Sequence, residues 1–371
     1  MRLSKSILGQ KEADAVSRVI LEDGYLGMGT EVGRFEEDIA AYLVVPKDNV
    51  VCVNSGTAAL HLAVSSITSY GDEVLVPSLT FLSSFQAISA NGAVPVACEI
   101  YEDSLTINLE DAAAKLSAKT KAIMAVHYAS NPANIKELYE FAKKHNLRVI
   151  EDAAHAFGCS IDSKKIGSFG DIICFSFDGI KNITSGEGGA IVTSDQQILS
   201  VVKDTRLLGI EKDSEKRYSG VRSWDFDVKR QGFRYHMSNI FAAIGRVQLT
   251  RLDNEFAPKR RMLLQCYKDL IGANSGILFQ KHIDNTYVIP HILSIRILNG
   301  KRDELKQALE RHDIPTGIHY KPNHLLTYYK TNYALPITEQ VYSELLTLPL
   351  HPELNESEVK VICKIINDIL K

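Results

Sequence analysis

From residue 50 onwards the chain alternates between short apolar, β-branched runs and amphipathic helical patterns. Runs typical of strands lie at residues 50–53, 73–77, 94–99, 121–127, 147–151, 172–177 and 190–193. Helical patterns such as 58–67 and 135–145 separate the first five runs, which favours a largely parallel sheet with helices on both faces. The short gap between the last two runs predicts one antiparallel member. The sequence therefore predicts an α/β fold around about seven strands, with ligands bound beyond their carboxyl ends.

Composition excludes several classes of protein. With 45% apolar and 23% charged residues the chain resembles ordinary soluble domains, and a net charge of -3 speaks against an extended nucleic-acid surface. No segment reaches the roughly 18 apolar residues of a membrane span, so no membrane partner is expected. The six cysteines are scattered without CxxC spacing, which predicts free thiols and a cytoplasmic location.

The length of 371 residues predicts two domains. We expect a large domain over residues 1–250, whose N-terminal helices include 10–23. A long helix over 254–270 then leads into a smaller α+β domain over 251–371, with strands that include 287–297 and helices over 301–312 and 356–370.

Lys181 stands in a polar turn between the last two predicted strands. It is followed by Gly186, Gly188 and Gly189, which let the backbone approach a bulky group. Most lysines are solvated surface charges, and the first interpretation of Lys181 is that it is one of these. The functional alternative is a lysine in a partly dry pocket, where burial favours the neutral amine that attacks an aldehyde.

Three other predicted strand ends carry polar or aromatic groups. Gly56 and Thr57 open a helix, where free backbone N–H groups favour a phosphate, although a plain helix cap is the commoner arrangement. Asp152 is either a solvated acid or the partner of a protonated ring nitrogen. Phe81 is either a core residue, which its spacing favours, or a stacking face for a flat ring.

Three loops offer further candidates for ligand contact. The first contains Tyr25 and Leu26 and is equally compatible with a plain helix connection. The second, 211–230, carries the only tryptophan, Trp224. The third, 317–329, contains His319 and Tyr320, but no metal site is predicted because acidic and cysteine partners are missing.

Several segments together resemble one enzyme family. They are NSGTAALHLA, GDEVLVPSLTF, VIEDAAHAFG, GSFGDIICFSFDGIKNITSGEGGAIVT and GFRYHMSNIFAAIGRVQL, and they follow in order across nearly the whole chain. They resemble the sugar aminotransferases of the DegT/DnrJ/EryC1/StrS family, which depend on pyridoxal 5'-phosphate. The resemblance implies fold type I, a homodimer with active sites shared at the subunit interface, and a nucleotide-linked keto sugar as amino acceptor.

The resemblance also implies roles for individual residues. Lys181 matches the lysine that carries the cofactor, Asp152 the partner of the ring nitrogen, and Phe81 the stacking aromatic. The remaining cofactor contacts implied are His155 beneath the ring, Gly56, Thr57 and Ser176 at the phosphate, and His236 at the phosphate of the neighbouring subunit. The substrate contacts implied are Tyr25, Leu26, His319 and Tyr320.

Two positions depart from the family pattern. Asp178 precedes Lys181 where relatives often carry histidine or tyrosine, which predicts a smaller and more acidic wall. His236 stands where many relatives carry arginine or asparagine, and histidine donates strongly only when protonated.

The resemblance further narrows the reaction. Relatives that remove a hydroxyl without transferring nitrogen carry histidine in place of Lys181, so this chain is expected to be a transaminase. The segment KNITSGEGG favours transfer to C4 of a 4-keto-6-deoxyhexose, with L-glutamate as donor, for surface polysaccharides such as lipopolysaccharide O-antigen or for other glycans. The alternatives are a C3-specific enzyme, another fold type I enzyme such as a lyase, and a non-catalytic regulator of the same fold.

Overall fold

The computed structural model describes residues 1–132, 134–211, 216, 221 and 225–371. Trp224 and much of the predicted loop over 211–230 lie outside the described residues. The helices found there are α1 (Gln10–Arg18), α2 (Thr30–Leu43), α3 (Gly56–Ile67), α4 (Leu82–Ser89), α5 (Leu109–Ala114), α6 (Ile135–His145), α7 (Gln196–Thr205), α8 (Asn239–Arg251), α9 (Ala257–Ile271), α10 (Arg302–Glu310), α11 (Pro336–Glu344) and α12 (Glu356–Ile369).

The strands form one large sheet and two small ones. They are β1 (Val50–Val53), β2 (Glu73–Pro77), β3 (Val94–Cys98), β4 (Thr120–Val126), β5 (Arg148–Asp152), β6 (Ser160–Ile161), β7 (Lys164–Lys165), β8 (Ile172–Ser176), β9 (Gly189–Thr193), β10 (Ile277–Phe279), β11 (Thr286–Tyr287), β12 (Leu293–Ile297) and β13 (Leu345–Leu348).

The large sheet has seven strands in the order β1-β9-β8-β5-β4-β2-β3. Strand β9 is antiparallel to both of its neighbours, and the other pairs are parallel. The predicted α/β fold with one antiparallel strand is therefore confirmed. Parallel order brings the carboxyl ends of β2, β4, β5 and β8 to the same edge, where the polar side chains that follow these strands meet.

Both faces of this sheet are buried, because successive side chains of a strand point to opposite sides. On β8, Ile173 and Phe175 pack into one apolar cluster, whereas Ile172 and Cys174 pack into the cluster on the other face. This two-sided burial explains why the strands read as continuous apolar runs, and it holds their ends in fixed positions.

The C-terminal part of the chain has its own sheet, in the order β10-β12-β13. Residues such as Leu263, Ile295 and Leu305 pack with those of α12 in a separate apolar cluster. The division of the chain between residues 250 and 251 stays a prediction.

The predicted single strand over 287–297 is wrong. The chain forms β11, which pairs with β6, and then β12, which pairs with β10 and β13. Pro290 lies between the two strands and has no N–H to donate to a ladder, so the strand cannot continue through it. His291, the next residue, therefore lies in a bend between the two strands and not in a strand.

Two further sequence expectations concern cysteines and membranes. All six cysteines are free thiols, as predicted, and all but Cys266 are buried. Among the residues that the structure describes, no helix is both long and apolar enough to cross a membrane.

Candidate active site

A cavity of about 290 Å³ lies beyond the carboxyl ends of β4, β5 and β8. Most of the predicted site residues line it, namely Gly56, Thr57, Phe81, Asp152, His155, Ser176, Lys181, His319 and Tyr320. Tyr25, Leu26 and His236 do not line it within a single chain. A larger cavity of about 870 Å³ lies between α1, α2 and α8, but its charged lining does not include Lys181 or Asp152.

Asp152 ends β5 and is buried at the floor of the cavity, with 6% of its surface exposed. Ser84 Oγ donates to its Oδ2 at 2.7 Å, and the backbone N–H of Ala154 donates to its Oδ1 at 3.2 Å. Burial raises the pKa of Asp152, whereas the two hydrogen bonds and the nearby Lys181 oppose that rise. The carboxylate is thus oriented by two donors and can still accept a third.

Lys181 lies in the turn that joins β8 to β9. The turn is anchored by Asn182, whose Nδ2 donates to the carbonyl oxygens of Phe157 and Ile289 at 3.1 and 3.2 Å. Burial lowers the pKa of Lys181 to about 8, against the opposing charges of Asp152 and Asp178. A pKa near 8 leaves a sizeable fraction of neutral amine at physiological pH, which an exposed lysine with a pKa of about 10.4 would lack.

The turn before α3 packs so closely against β8 and β9 that side chains have no room. A Cβ on Gly56 would lie 2.7 Å from Cβ of Ser176, and a Cβ on Gly189 would lie 2.5 Å from the carbonyl oxygen of Ser55. Ser55 caps the helix by accepting from the N–H of Ala58 at 3.1 Å. The first N–H groups of α3, with the hydroxyls of Thr57 and Ser176 nearby, form a favourable site for a phosphate.

His155 and Tyr320 meet on another side of the cavity. His155 Nδ1 accepts from the N–H of Ala129 at 3.3 Å, and its Nε2 lies 3.2 Å from the hydroxyl of Tyr320. Burial, with the charge of Lys181, keeps the pKa of His155 well below its usual range, so its imidazole is neutral. With Nδ1 as acceptor, Nε2 carries the proton and donates to Tyr320.

Phe81 stands at the mouth of the cavity and not in the core that its spacing favoured. Its side chain is 55% exposed, and its ring centroid lies 5.4 Å from that of Tyr320. Phe81 precedes α4 directly, at the bend where the chain leaves β2 for the helix. The alternative of a stacking face is the one compatible with this position.

The wall beside Lys181 is acidic. Asp178 lines the cavity, and its Oδ2 accepts from the N–H of Ile180 at 3.3 Å. Glu187 also lines it, and burial, with the charge of Asp178, raises the pKa of its carboxyl. Hydroxyl groups of a ligand would find acceptors here, whereas a diphosphate would be repelled.

Sequence reasoning missed Glu187 of the acidic wall and two further residues of this site, Ser84 and His291. Ser84, which orients Asp152, lies three residues after Phe81 on α4, and nothing in the sequence distinguishes it from other helix serines. Nε2 of His291 lies 3.4 Å from Nζ of Lys181. Pro290 was the available signal for His291, because a proline inside a predicted strand indicates a break.

Comparisons with known proteins cover almost the whole chain. The model of the DegT/DnrJ/EryC1/StrS aminotransferase family matches residues 7–367. The dTDP-4-dehydro-2,3,6-trideoxy-D-glucose 4-aminotransferase of Saccharopolyspora spinosa is 32% identical over 98% of this chain and 94% of its own length. The GDP-perosamine synthase of Vibrio cholerae is 34% identical over 92% of this chain and 91% of its own length.

A protein of Streptococcus pneumoniae has a closely similar structure. Its pyridoxamine-phosphate form superposes with a TM-score of 0.91 at 26% identity, covering 100% of this chain and 98% of that one. Its pyridoxal-phosphate form superposes with a TM-score of 0.90, also at 26% identity, and covers 100% of both chains.

The cavity residues fit such a cofactor by their chemistry. The glycine-lined turn beside Ser176 leaves space for a phosphate where any larger residue would intrude. The buried carboxylate of Asp152 suits a protonated ring nitrogen, and the amine of Lys181 suits an aldehyde. These three groups lie in one cavity and correspond to the three polar parts of pyridoxal phosphate.

Proposed function

Because this chain belongs to the DegT/DnrJ/EryC1/StrS aminotransferase family and is a pyridoxal-phosphate-dependent aminotransferase of fold type I, we propose that it aminates a nucleotide-linked keto sugar. The amino group comes from L-glutamate and goes to C4 of a 4-keto-6-deoxyhexose. The named activity of the Saccharopolyspora spinosa relative, a 4-aminotransferase of a dTDP-linked 4-dehydro sugar, supports C4. The product enters surface polysaccharide, O-antigen or other glycan synthesis.

One observation carries this proposal. Lys181, with a pKa lowered to about 8, shares a cavity with the buried carboxylate of Asp152 and with the glycine-lined turn at Gly56. A lysine and an acid that line one cavity, each with a perturbed pKa, are typical of catalytic groups.

Each polar group has a distinct task. Asp152 accepts a hydrogen bond from the ring nitrogen and keeps that nitrogen protonated. When bound, the cofactor withdraws electrons from the substrate carbon that carries nitrogen, which makes its proton acidic. Nζ of Lys181 takes that proton and returns it, because its pKa lies near the working pH. The acidic wall of Asp178 and Glu187 offers acceptors to the sugar hydroxyls.

The decisive experiment follows the absorbance of the bound cofactor in two steps. L-glutamate alone should convert the aldehyde band to that of the aminated cofactor, and one member of a panel of dTDP-, UDP- and GDP-linked 4-keto sugars should restore it. Matched 3-keto sugars test the C3 alternative, since restoration by these alone would overturn C4. A cofactor band that no amino acid and no sugar changes would indicate the non-catalytic regulator instead.

The first variant that tests the cofactor site is Gly56→Ala. Its Cβ would meet Ser176 at 2.7 Å, and overpacking of this kind typically costs about 1–3 kcal/mol, so we expect cofactor binding to weaken by roughly 5-fold to 150-fold. Equilibrium dialysis with pyridoxal phosphate measures this. Gly9→Ala is the control, because its Cβ would meet nothing nearer than 3.8 Å. Equal affinity in both variants would refute the phosphate site at Gly56.

Ser84→Ala tests the state of Asp152. The hydrogen bond from Ser84 lowers the pKa of this carboxyl, so its loss should raise that pKa further. The reaction needs Asp152 as a carboxylate, and this form is lost below the pKa of Asp152. A higher pKa should therefore move the acidic limb of the rate profile to higher pH. The rate of the glutamate half-reaction measured from pH 5 to pH 9 in the two proteins checks the shift. A limb that moves to lower pH would contradict the assignment.

A homodimer with shared sites is also part of the proposal, supported by the position of His236. It pairs with Val53, next to the turn at Gly56, without lining the single-chain cavity. If it reaches a partner's phosphate, His236→Ala should loosen cofactor retention by about tenfold, the value of one hydrogen bond, whereas exposed His312→Ala should not. Dialysis together with sedimentation velocity tests this, and a fully active monomer would refute the shared site.

A further inference from the structure

His291 is held in place by backbone contacts from two directions. Arg260, a buried residue of α9, donates from Nη1 to the carbonyl oxygens of Pro290 and His291, both at 3.1 Å. The N–H of His291 donates to Ser130 Oγ at 3.0 Å. The backbone at His291 is therefore held by a helix of the C-terminal part and by the segment that follows β4.

This imidazole makes its only side-chain hydrogen bond, among the described residues, to the reactive lysine. His291 is 3% exposed, and its Nε2 lies 3.4 Å from Nζ of Lys181. Its ring centroid lies 4.4 Å from that of His155. Its Nδ1 is buried and has no hydrogen-bond partner in the described part of the chain.

The charge state of His291 follows from its surroundings. Burial, and then the cations Lys181 and Arg260 and the neighbouring imidazoles of His155 and His319, hold the pKa of His291 well below its usual range. The ring is therefore neutral. A neutral imidazole has one nitrogen that accepts and one that donates, so Nε2 accepts from the ammonium form of Lys181 when Nδ1 carries the ring proton.

We propose that His291 is a positioning residue for Lys181, whose protonated amine it holds toward the reacting atoms by accepting a hydrogen bond at Nε2. This proposal rests on the role given to Lys181 under the proposed function. Nζ must face the substrate carbon both when it takes the proton and when it returns it. A neutral acceptor keeps the ammonium in the cavity without adding a charge that would hold the proton there.

A purely structural role predicts something different. If His291 only filled space beside His155, a phenyl ring of similar size would serve as well. If His291 acts through its acceptor nitrogen, phenylalanine should not be able to position Lys181. Glutamine should still position it, because its terminal oxygen reaches about as far as Nε2. His291→Phe and His291→Gln are therefore the informative pair, with His351→Phe as control for loss of a buried histidine that also lies near Arg260.

The readout is the pKa of Lys181 in the full-length protein freed of cofactor. Acetic anhydride labels neutral amines, so the extent of Lys181 acetylation from pH 6 to pH 11, measured by peptide mass spectrometry, reports that pKa. The groups that face this amine are the carboxylates of Asp152 and Asp178 and the neutral rings of His155, His291 and His319. Only His291 changes in the experiment.

A charge-assisted hydrogen bond stabilises the ammonium, so its removal should lower the pKa of Lys181. We expect His291→Phe to lower it by roughly one pH unit, and His291→Gln to restore most of the shift. His351→Phe should leave it unchanged. In the loaded enzyme, the pH profile of the glutamate half-reaction should move with the pKa of the lysine in each variant.

Two results would overturn the proposal. One is an unchanged pKa in His291→Phe, and the other is an equal shift in the phenylalanine and glutamine variants, which would indicate packing. If the phenylalanine variant does not fold, His291→Asn replaces it, because its shorter amide ends near the position of Nδ1. Failure of the proposed function would look different, since L-glutamate and the 4-keto sugars would then leave the cofactor band of the unaltered protein unchanged, whatever the pKa of Lys181 in the variants.

Discussion

Lys181→Ala is expected to abolish amino transfer while leaving the fold intact. The residue lines the cavity and belongs to neither of the apolar clusters on the two faces of the sheet, so its removal should not unfold the protein. Both its covalent role and its proton transfer are lost, and proton transfer alone is worth about 10²–10⁴-fold, so we expect a loss of at least about 10⁴-fold. Single-turnover absorbance with L-glutamate measures the loss.

The control for this variant is Lys165→Ala. Lys165 also has a lowered pKa because of burial, but it lies over the ring of Tyr42, away from the cavity. It should keep full activity. Adding methylamine to the Lys181→Ala enzyme should restore part of the rate, since a free amine can replace the missing base. Turnover near that of the unaltered enzyme in Lys181→Ala would remove the central claim.

Asp152→Asn is expected to slow the loss of the substrate proton without removing the cofactor site. The amide oxygen can still accept from the N–H of Ala154, and the amide nitrogen, which replaces Oδ2, can donate to Ser84 Oγ, so the geometry is kept while the negative charge is lost. A hydrogen bond to a charged group is worth about 1.5–3 kcal/mol and each 1.36 kcal/mol is about tenfold in rate, so we expect a loss of about two orders of magnitude. The glutamate half-reaction measures it.

Asp171→Asn separates this effect from a general loss of stability. Asp171 precedes the other end of β8 and binds Arg148 at 2.6 Å, far from the carboxyl edge of the sheet. Its substitution should lower the melting temperature and leave the proton-abstraction rate unchanged. If Asp152→Asn behaved in the same way, another group would have to hold the ring nitrogen.

Some predictions made from the sequence were confirmed by the structure and others were wrong, and the difference has a physical reason. Strand positions were readable because apolar runs buried on both faces leave a local signature, and β1 and β2 begin and end at the predicted residues. The long strand over 287–297 failed because its pattern of apolar residues outweighed one proline. The core position that spacing favoured for Phe81 was wrong for a related reason, since apolar spacing does not distinguish a core face from the wall of a cavity.

The sequence by itself determined the alternation of strands and helices, the edge of the sheet at which a ligand is expected, and the residues Lys181, Asp152 and Gly56, which line the cavity at that edge. These depend on local periodicity and on turn chemistry, which neighbouring residues encode. Only the tertiary structure decided which distant side chains complete the site. Ser84 and Asp152 are 68 residues apart, and His291 and Lys181 are 110 residues apart, so their contacts arise from packing of the whole chain. No local pattern records such distances, and the same packing sets the burial that lowers the pKa of Lys181 to about 8.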